Sequence, residues 1–184
     1  MFHLHVNNNI NLRMLTARDA EPLFKRIDQS RDLLQKWLPW LNEFQSSEDA
    51  LLFIKNSFQL YNNREAITAG VFAHEELVGV VGFNHLDFKN KIGFIGYWLS
   101  MQYQGRGIMT QSVAAFITYG FNDLCLNRID LRTASENTKS QAIAKRLGFI
   151  KEGRIRDAEW LYNRYVDHII YGLLKKDWSN TSLN

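Results

Sequence analysis

The spacing of apolar residues changes twice along the chain. Ile10 to Leu15 alternates apolar and polar positions, the pattern of a short strand. Thr16 then opens "TARDAEPLFKRID" with a hydroxyl to cap and Asp19 three residues on, the layout of a capping box with Asp in place of Glu. A second helical piece is predicted over "SRDLLQKWL" and a third from "SSED" to about Asn62, where Leu51, Leu52, Ile54, Phe58 and Tyr61 share one broad face. After Asn63 the period of 3.6 gives way to β-branched and aromatic runs. "EAITAGVFA", "LVGVVGFNHLD" and "IGFIGYWLSM", separated by "HEE" and "FKNK", predict three consecutive antiparallel strands. Helical spacing returns from Met109 through Val113, Phe116, Ile117, Gly120 and Phe121 to Leu124. "RIDLRTA" predicts a strand, "NTKSQAIAKRLGF" a helix closed by Gly148, and "RYVDHIIYGLL" a final strand. The fold expected is α+β: a mixed, mostly antiparallel sheet flanked by helices, with a three-strand meander followed by a strand–helix–strand unit.

Composition narrows the class. With 184 residues and 46% apolar content the chain can bury one core, so a single domain over 1–184 is expected. The net charge of +3 is scattered, with no block of like charges such as a nucleic-acid-binding tail carries. A mild preference for anionic partners follows, and direct nucleic-acid binding is not expected. The start "MFHLHVNNNINLRML" lacks a basic segment followed by a long apolar run, and no stretch is apolar enough to span a bilayer, which predicts a cytoplasmic protein without membrane attachment. The lone cysteine, Cys125, excludes an internal disulfide and a thiol cluster; its apolar neighbours predict a buried structural thiol. No His, Asp or Glu spacing suggests a metal.

The segment Gln104-Gly105-Arg106-Gly107-Ile108-Met109-Thr110 runs from a strand straight into a helix. Free N–H groups in a first helical turn, together with the positive end of the helix dipole, bind anions without any side-chain charge. Glycines let the main chain approach phosphate oxygens closely. A Walker loop and the dinucleotide fingerprint are both excluded, the first for want of Gly-Lys-Ser/Thr and the second because Thr110 stands where a third glycine belongs.

This segment resembles motif A of the GNAT acyl-CoA N-acyltransferases: Gln or Arg, two residues, Gly, one residue, then Gly or Ala. The match can start at Gln102, literal through Gly105 and Gly107, or at Gln104, with Met109 in the last place. "YQGRGIMTQS" is similar to the RimJ/RimL-type branch of ribosomal-protein N-terminal acetyltransferases, where that methionine is usual, so the second register is preferred. The likeness continues through "RTASENTKSQAIAKRLGF" and "GRIRDAEWLYNRYVDHIIYGLLKKDW", about the C-terminal half, and more loosely in "WLPWL". It implies acetyl-CoA as cosubstrate, with Asn137 near it and Arg106, Lys139, Lys145 and Arg146 as candidates for its phosphates. It implies also that the strand Gly96 to Met101 splays from its neighbour, that the pantetheine arm fills the gap, and that amides near Leu99 and Met101 polarise the thioester.

Acetyl transfer to an amine needs a neutral nitrogen, a polarised thioester and support for the leaving thiolate. The resemblance implies Glu159, in "DAEWL", as the base, and Trp160 beside it would shield it from water. Many GNAT enzymes carry a tyrosine seven residues after the motif asparagine; here that place is Ala144, and Ser140 stands where this branch has a serine that hydrogen-bonds the thiolate. Trp37, Leu38, Trp40, Tyr97, Trp98 and Tyr162 are the expected acceptor walls. His85 and His168 read as structural, with His168 a reserve base. The function expected is transfer of acetyl from acetyl-CoA to an α-amine, a ribosomal protein N-terminus by resemblance, in a direct ternary complex and as a homodimer. The alternatives are a small-amine acetyltransferase and a silent acyl-CoA-binding module.

Overall fold

The computed structural model describes residues 2–178. Its elements are β1 (His3–Asn7), β2 (Ile10–Arg13), α1 (Ala20–Gln29), α2 (Arg31–Leu34), α3 (Ser47–Asn62), β3 (Ile67–Ala73), β4 (Glu76–Asp87), β5 (Ile92–Leu99), α4 (Ile108–Asn122), β6 (Arg128–Ala134), α5 (Thr138–Arg146), β7 (Ile150–Leu161), β8 (Arg164–Leu174) and α6 (Lys175–Trp178). The strands form one sheet in the order β1-β2-β3-β4-β5-β6-β8-β7. Among the described residues only the β5–β6 pairing is parallel.

The expected meander is β3–β4–β5, the capping box expected at Thr16 forms, and a second one stands at Ser46. The Thr16 N–H donates to Asp19 Oδ2 at 2.7 Å, and the Ser46 N–H to Asp49 Oδ2 at 2.9 Å. At Thr16 the box opens a 3-10 turn, Ala17–Asp19, before α1 proper. The helix expected over "SRDLLQKWL" is cut short at Leu34, as the chain turns toward Pro39, whose ring disfavours helix in the residue before it. The strand expected to reach Met101 ends at Leu99, and a 3-10 turn follows over Met101–Tyr103.

Two apolar clusters cover the sheet. On one face α4 places Val113, Phe116, Ile117 and Phe121 against Phe83, Ile129 and Leu131. On the other, α1 and α3 place Leu23, Ile27, Ala50 and Ile54 against Phe72, Leu77, Val80 and Trp98. Tyr97 and Trp98, adjacent on β5, therefore serve opposite faces, as the period of two in a strand requires.

Candidate active site

β5 and β6 run side by side only from Ile92↔Arg128 to Ile95↔Leu131. Beyond that point Gly96–Leu99 stays paired with β4, while Arg132–Ala134 stays with β8. The two strands part, and among the described residues the edges facing the gap have no strand to bond to. Backbone amides left so need another partner. Two hydroxyls at the gap are in the same condition: Ser100 Oγ, just past the end of β5, and Thr133 Oγ1, in the parted stretch of β6, are buried without a hydrogen-bond partner among the described residues. The splay expected of this strand is thus present in the pairing.

The glycine loop lies at the C-terminal end of the same strand. Gly105 has φ +76° and Gly107 φ +73°, a conformation in which a side chain costs about 1–2 kcal/mol. No protein atom lies within 4 Å of where a Gly105 Cβ would point, so that side of the loop is open. Gly107 is the N-cap of α4, and the first main-chain bond of the helix runs from the Gln111 N–H to the Gly107 carbonyl at 3.1 Å. The amides of Ile108, Met109 and Thr110 consequently have no acceptor inside the helix and sit at its positive end. Gln104 is built into the loop, its Nε2 donating to the Leu99 carbonyl (3.1 Å) and its Oε1 accepting from Lys139 Nζ (2.9 Å), while Gln102 is exposed. Arg106 is exposed, 5.5 Å from the Tyr103 ring. At the far end of α5, Arg146 reaches Thr110 Oγ1 at 3.2 Å and Lys145 is exposed. α5 thus flanks the loop with cations at both ends.

One amide named for the thioester is already engaged: the Met101 N–H donates to Ser30 Oγ at 3.1 Å. Ser30, buried at the junction of α1 and α2, carried no signal in the sequence because its partner lies 71 residues away.

Asn137 is the N-cap of α5, its Oδ1 accepting the Ser140 N–H at 3.2 Å. The cap being filled by asparagine, the Ser140 side chain is not needed for it. Ser140 Oγ donates instead to Tyr97 Oη at 3.2 Å, and Tyr97 Oη donates to the Ser140 carbonyl, also at 3.2 Å. Burial pushes the Tyr97 phenol up to about 12, against the pull of its Ser140 hydrogen bond.

Glu159 lies in the last third of β7, half-buried, with Oε2 3.3 Å from His168 Nε2. Between Ile155 and Glu159 the register of β7 shifts against β8. Asp167 holds this bulge: it accepts the Asp157 N–H (2.9 Å), which has a positive φ, and Arg154 Nε (2.6 Å). These bonds keep the Asp167 carboxyl below the usual aspartate range. A bulge beside a site re-aims the next side chain. Trp160 does not shield Glu159, because it points to the other face, 54% exposed, edge-on to Tyr165.

The five aromatic walls do not form one cleft. Trp98 is 9% exposed, in the α1/α3 core, where Trp40 also packs, 5.1 Å from Phe44. Tyr97 faces the opposite core. Trp37 and Tyr162 both pack on the cluster of Ala134, Leu161 and Val166, and Tyr162 Oη donates to the Leu38 carbonyl at 2.5 Å. A cavity of about 220 Å³ opens there, between α2 and the β7–β8 turn, lined by Asp32, Lys36, Leu161, Tyr162, Asn163 and Arg164. Among the described residues no cluster of three or more His, Cys, Asp or Glu is placed to hold a metal. Cys125, expected inside, is exposed at φ +56° in the loop after α4, since apolar neighbours in sequence do not bury a residue at a turn.

Residues 9–150 match the acetyltransferase (GNAT) domain family. The chain is 36% identical over 180 residues to "Putative ribosomal N-acetyltransferase YdaF" of Bacillus subtilis (strain 168), covering 97% of this chain and 98% of that one. It is 32% identical to the ribosomal-protein-serine acetyltransferase of Escherichia coli (strain K12), over 91% and 94% of the two chains. Among solved structures, RimL, the ribosomal L7/L12 α-N-protein acetyltransferase in complex with coenzyme A, superposes with a TM-score of 0.91 at 28% identity, covering 94% of this chain and 98% of that one.

Proposed function

The chain belongs to the GNAT acetyltransferase family and is an N-acetyltransferase, and from that premise we propose that it carries acetyl from acetyl-CoA to a protein N-terminal α-amine, that of a ribosomal protein. The observation that carries the donor half is the parting of β5 from β6 beside the unbonded N-terminus of α4. Acetyl-CoA would supply the thioester and the pyrophosphate. The amides of Ile108, Met109 and Thr110 take the anion, with Gly105 and Gly107 giving it room, and Arg106, Lys139, Lys145 and Arg146 add positive charge around it. The open edges of Gly96–Leu99 and of the parted β6 receive the extended arm, with the Leu99 amide near the carbonyl.

Glu159 takes the proton of the attacking amine, and the His168 contact holds its carboxylate in place. Ser140 Oγ gives a hydrogen bond to the departing sulfur. The acceptor enters past Trp37 and Tyr162. An α-amine, with an ordinary pKa of about 7.7–8.0, is roughly a third neutral near pH 7.5, against about a thousandth of a lysine. An α-amine therefore demands less of a single half-buried carboxylate than a lysine does. The relatives' names support a ribosomal protein as the acceptor, and that partner class supports a cytoplasmic location. The exposed Ile150, Ile155, Trp160 and Tyr165 on β7 and β8 support a homodimer.

The test is a peptide panel: ribosomal-protein N-terminal sequences, the same peptides with blocked N-termini and an internal lysine, and free polyamines. We expect the mass of one acetyl group on unblocked peptides only. Acetylation of free polyamines in preference to every peptide would overturn the acceptor, and coenzyme A binding without turnover on any amine would overturn the enzyme.

A further inference from the structure

The Tyr97–Ser140 contact joins β5 to α5 across 43 residues of sequence, on the parted side of β5. Both polar ends of the tyrosine hydroxyl are used on one residue. Its oxygen accepts the Ser140 side-chain proton, and its own proton goes to the Ser140 carbonyl, so the side chain and the backbone of Ser140 are fixed together. A serine hydroxyl otherwise chooses among three staggered positions, and near a helix start it commonly turns to main-chain groups. Asn137 removes that alternative by capping α5 itself. Gly96 and Trp98 cannot take over, since one has no side chain and the other points to the opposite face.

We propose that Tyr97 is a positioning residue for acetyl transfer: its proton on the Ser140 carbonyl holds the start of α5 against the parted end of β5, and its oxygen accepts the single Ser140 hydroxyl proton until that proton swings to the leaving sulfur. This rests on the reading of Ser140 as the thiolate's hydrogen-bond donor. The tyrosine itself need not touch either substrate. Its phenol stays protonated through the neutral range, because burial disfavours the phenolate, so the carbonyl bond is kept whenever the enzyme works.

The experiment is a double-mutant cycle on the full chain, with kcat and the KM for acetyl-CoA measured for Tyr97→Phe, Ser140→Ala and the pair. Phenylalanine keeps the ring in the core and deletes only the hydroxyl; a thermal melt checks that the fold is kept. Tyr97→Phe should lower kcat roughly three- to tenfold, the worth of one oriented hydrogen bond, with KM for acetyl-CoA unchanged. The double variant should be no slower than Ser140→Ala alone, because the tyrosine acts only through the serine. A Tyr97→Phe enzyme at full kcat beside a slow Ser140→Ala would overturn the inference and leave the serine reading intact, as would losses that multiply in the pair. Full activity in Ser140→Ala would overturn both. If Tyr97→Phe melts early, Ser140→Thr, which keeps a hydroxyl, should recover kcat over Ser140→Ala; no recovery counts against the role.

Discussion

Two residues test the proposed chemistry individually, and a third tests the surface. Glu159→Gln keeps the size of the side chain and removes its ability to take a proton; kcat should fall by about 10², with the KM for acetyl-CoA unchanged in steady-state assays. Gly107→Ala places a Cβ at φ +73°. The cost of about 1–2 kcal/mol should weaken coenzyme A binding roughly tenfold in calorimetry. Cys125 is exposed, so one equivalent of thiol should react with a disulfide reagent in the native protein, without denaturant. At this scale the glycines were legible because their role is conformational and local. The proposed base came from resemblance alone, and its contact with His168 needed the strand register, which a bulge shifts just before Glu159. Trp160 misled for a related reason: the neighbour of a residue on a strand lies on the opposite face.

Among the elements, α5 starts with a structural cap, Asn137, three residues before the serine proposed for the thiolate. Asn137→Ala removes the cap and should cost about 1 kcal/mol in denaturant midpoint analysis, with a larger loss of kcat than of stability, since Ser140 is the residue whose amide the cap holds. The helices were legible from period and caps, and the inner strands from their β-branched runs. β1 and β7 were not. Both lie at the edges of the sheet, and an edge strand exposed on one side need not be apolar. β7 reads "IKEGRIRDAEWL", mostly charged, and its bulge breaks the alternation that would reveal it. The parting of β5 from β6 leaves no mark on either strand's composition, because both remain fully paired on their other sides.

For the molecule as a whole, the response to acid follows from carboxylates such as Asp19. Burial alone would raise its pKa, but two Arg13 contacts (2.9 and 2.8 Å) and the Thr16 N–H and hydroxyl outweigh burial and hold it below the ordinary range. A carboxyl depressed in the folded state adds stability above its unfolded pKa and loses it as pH falls through the folded one. The urea midpoint should accordingly be flat from neutral pH to about 5 and decline below about 4, and Asp19→Asn should flatten part of that decline.

The strand order has a consequence for synthesis. Of the described strands β8 is made last, yet it is laid between β6 and β7, and among the described residues β7 pairs with no other strand. A nascent chain that has emerged only as far as Asn163 therefore holds Glu159 on a ribbon with nothing to lie against, while the far edge of β6 stays bare. Such a chain cannot ripen in stages. Stopped at that length it should be taken by proteases, whereas one released after Trp178 should resist them, so that competence for transfer arrives in a single late step.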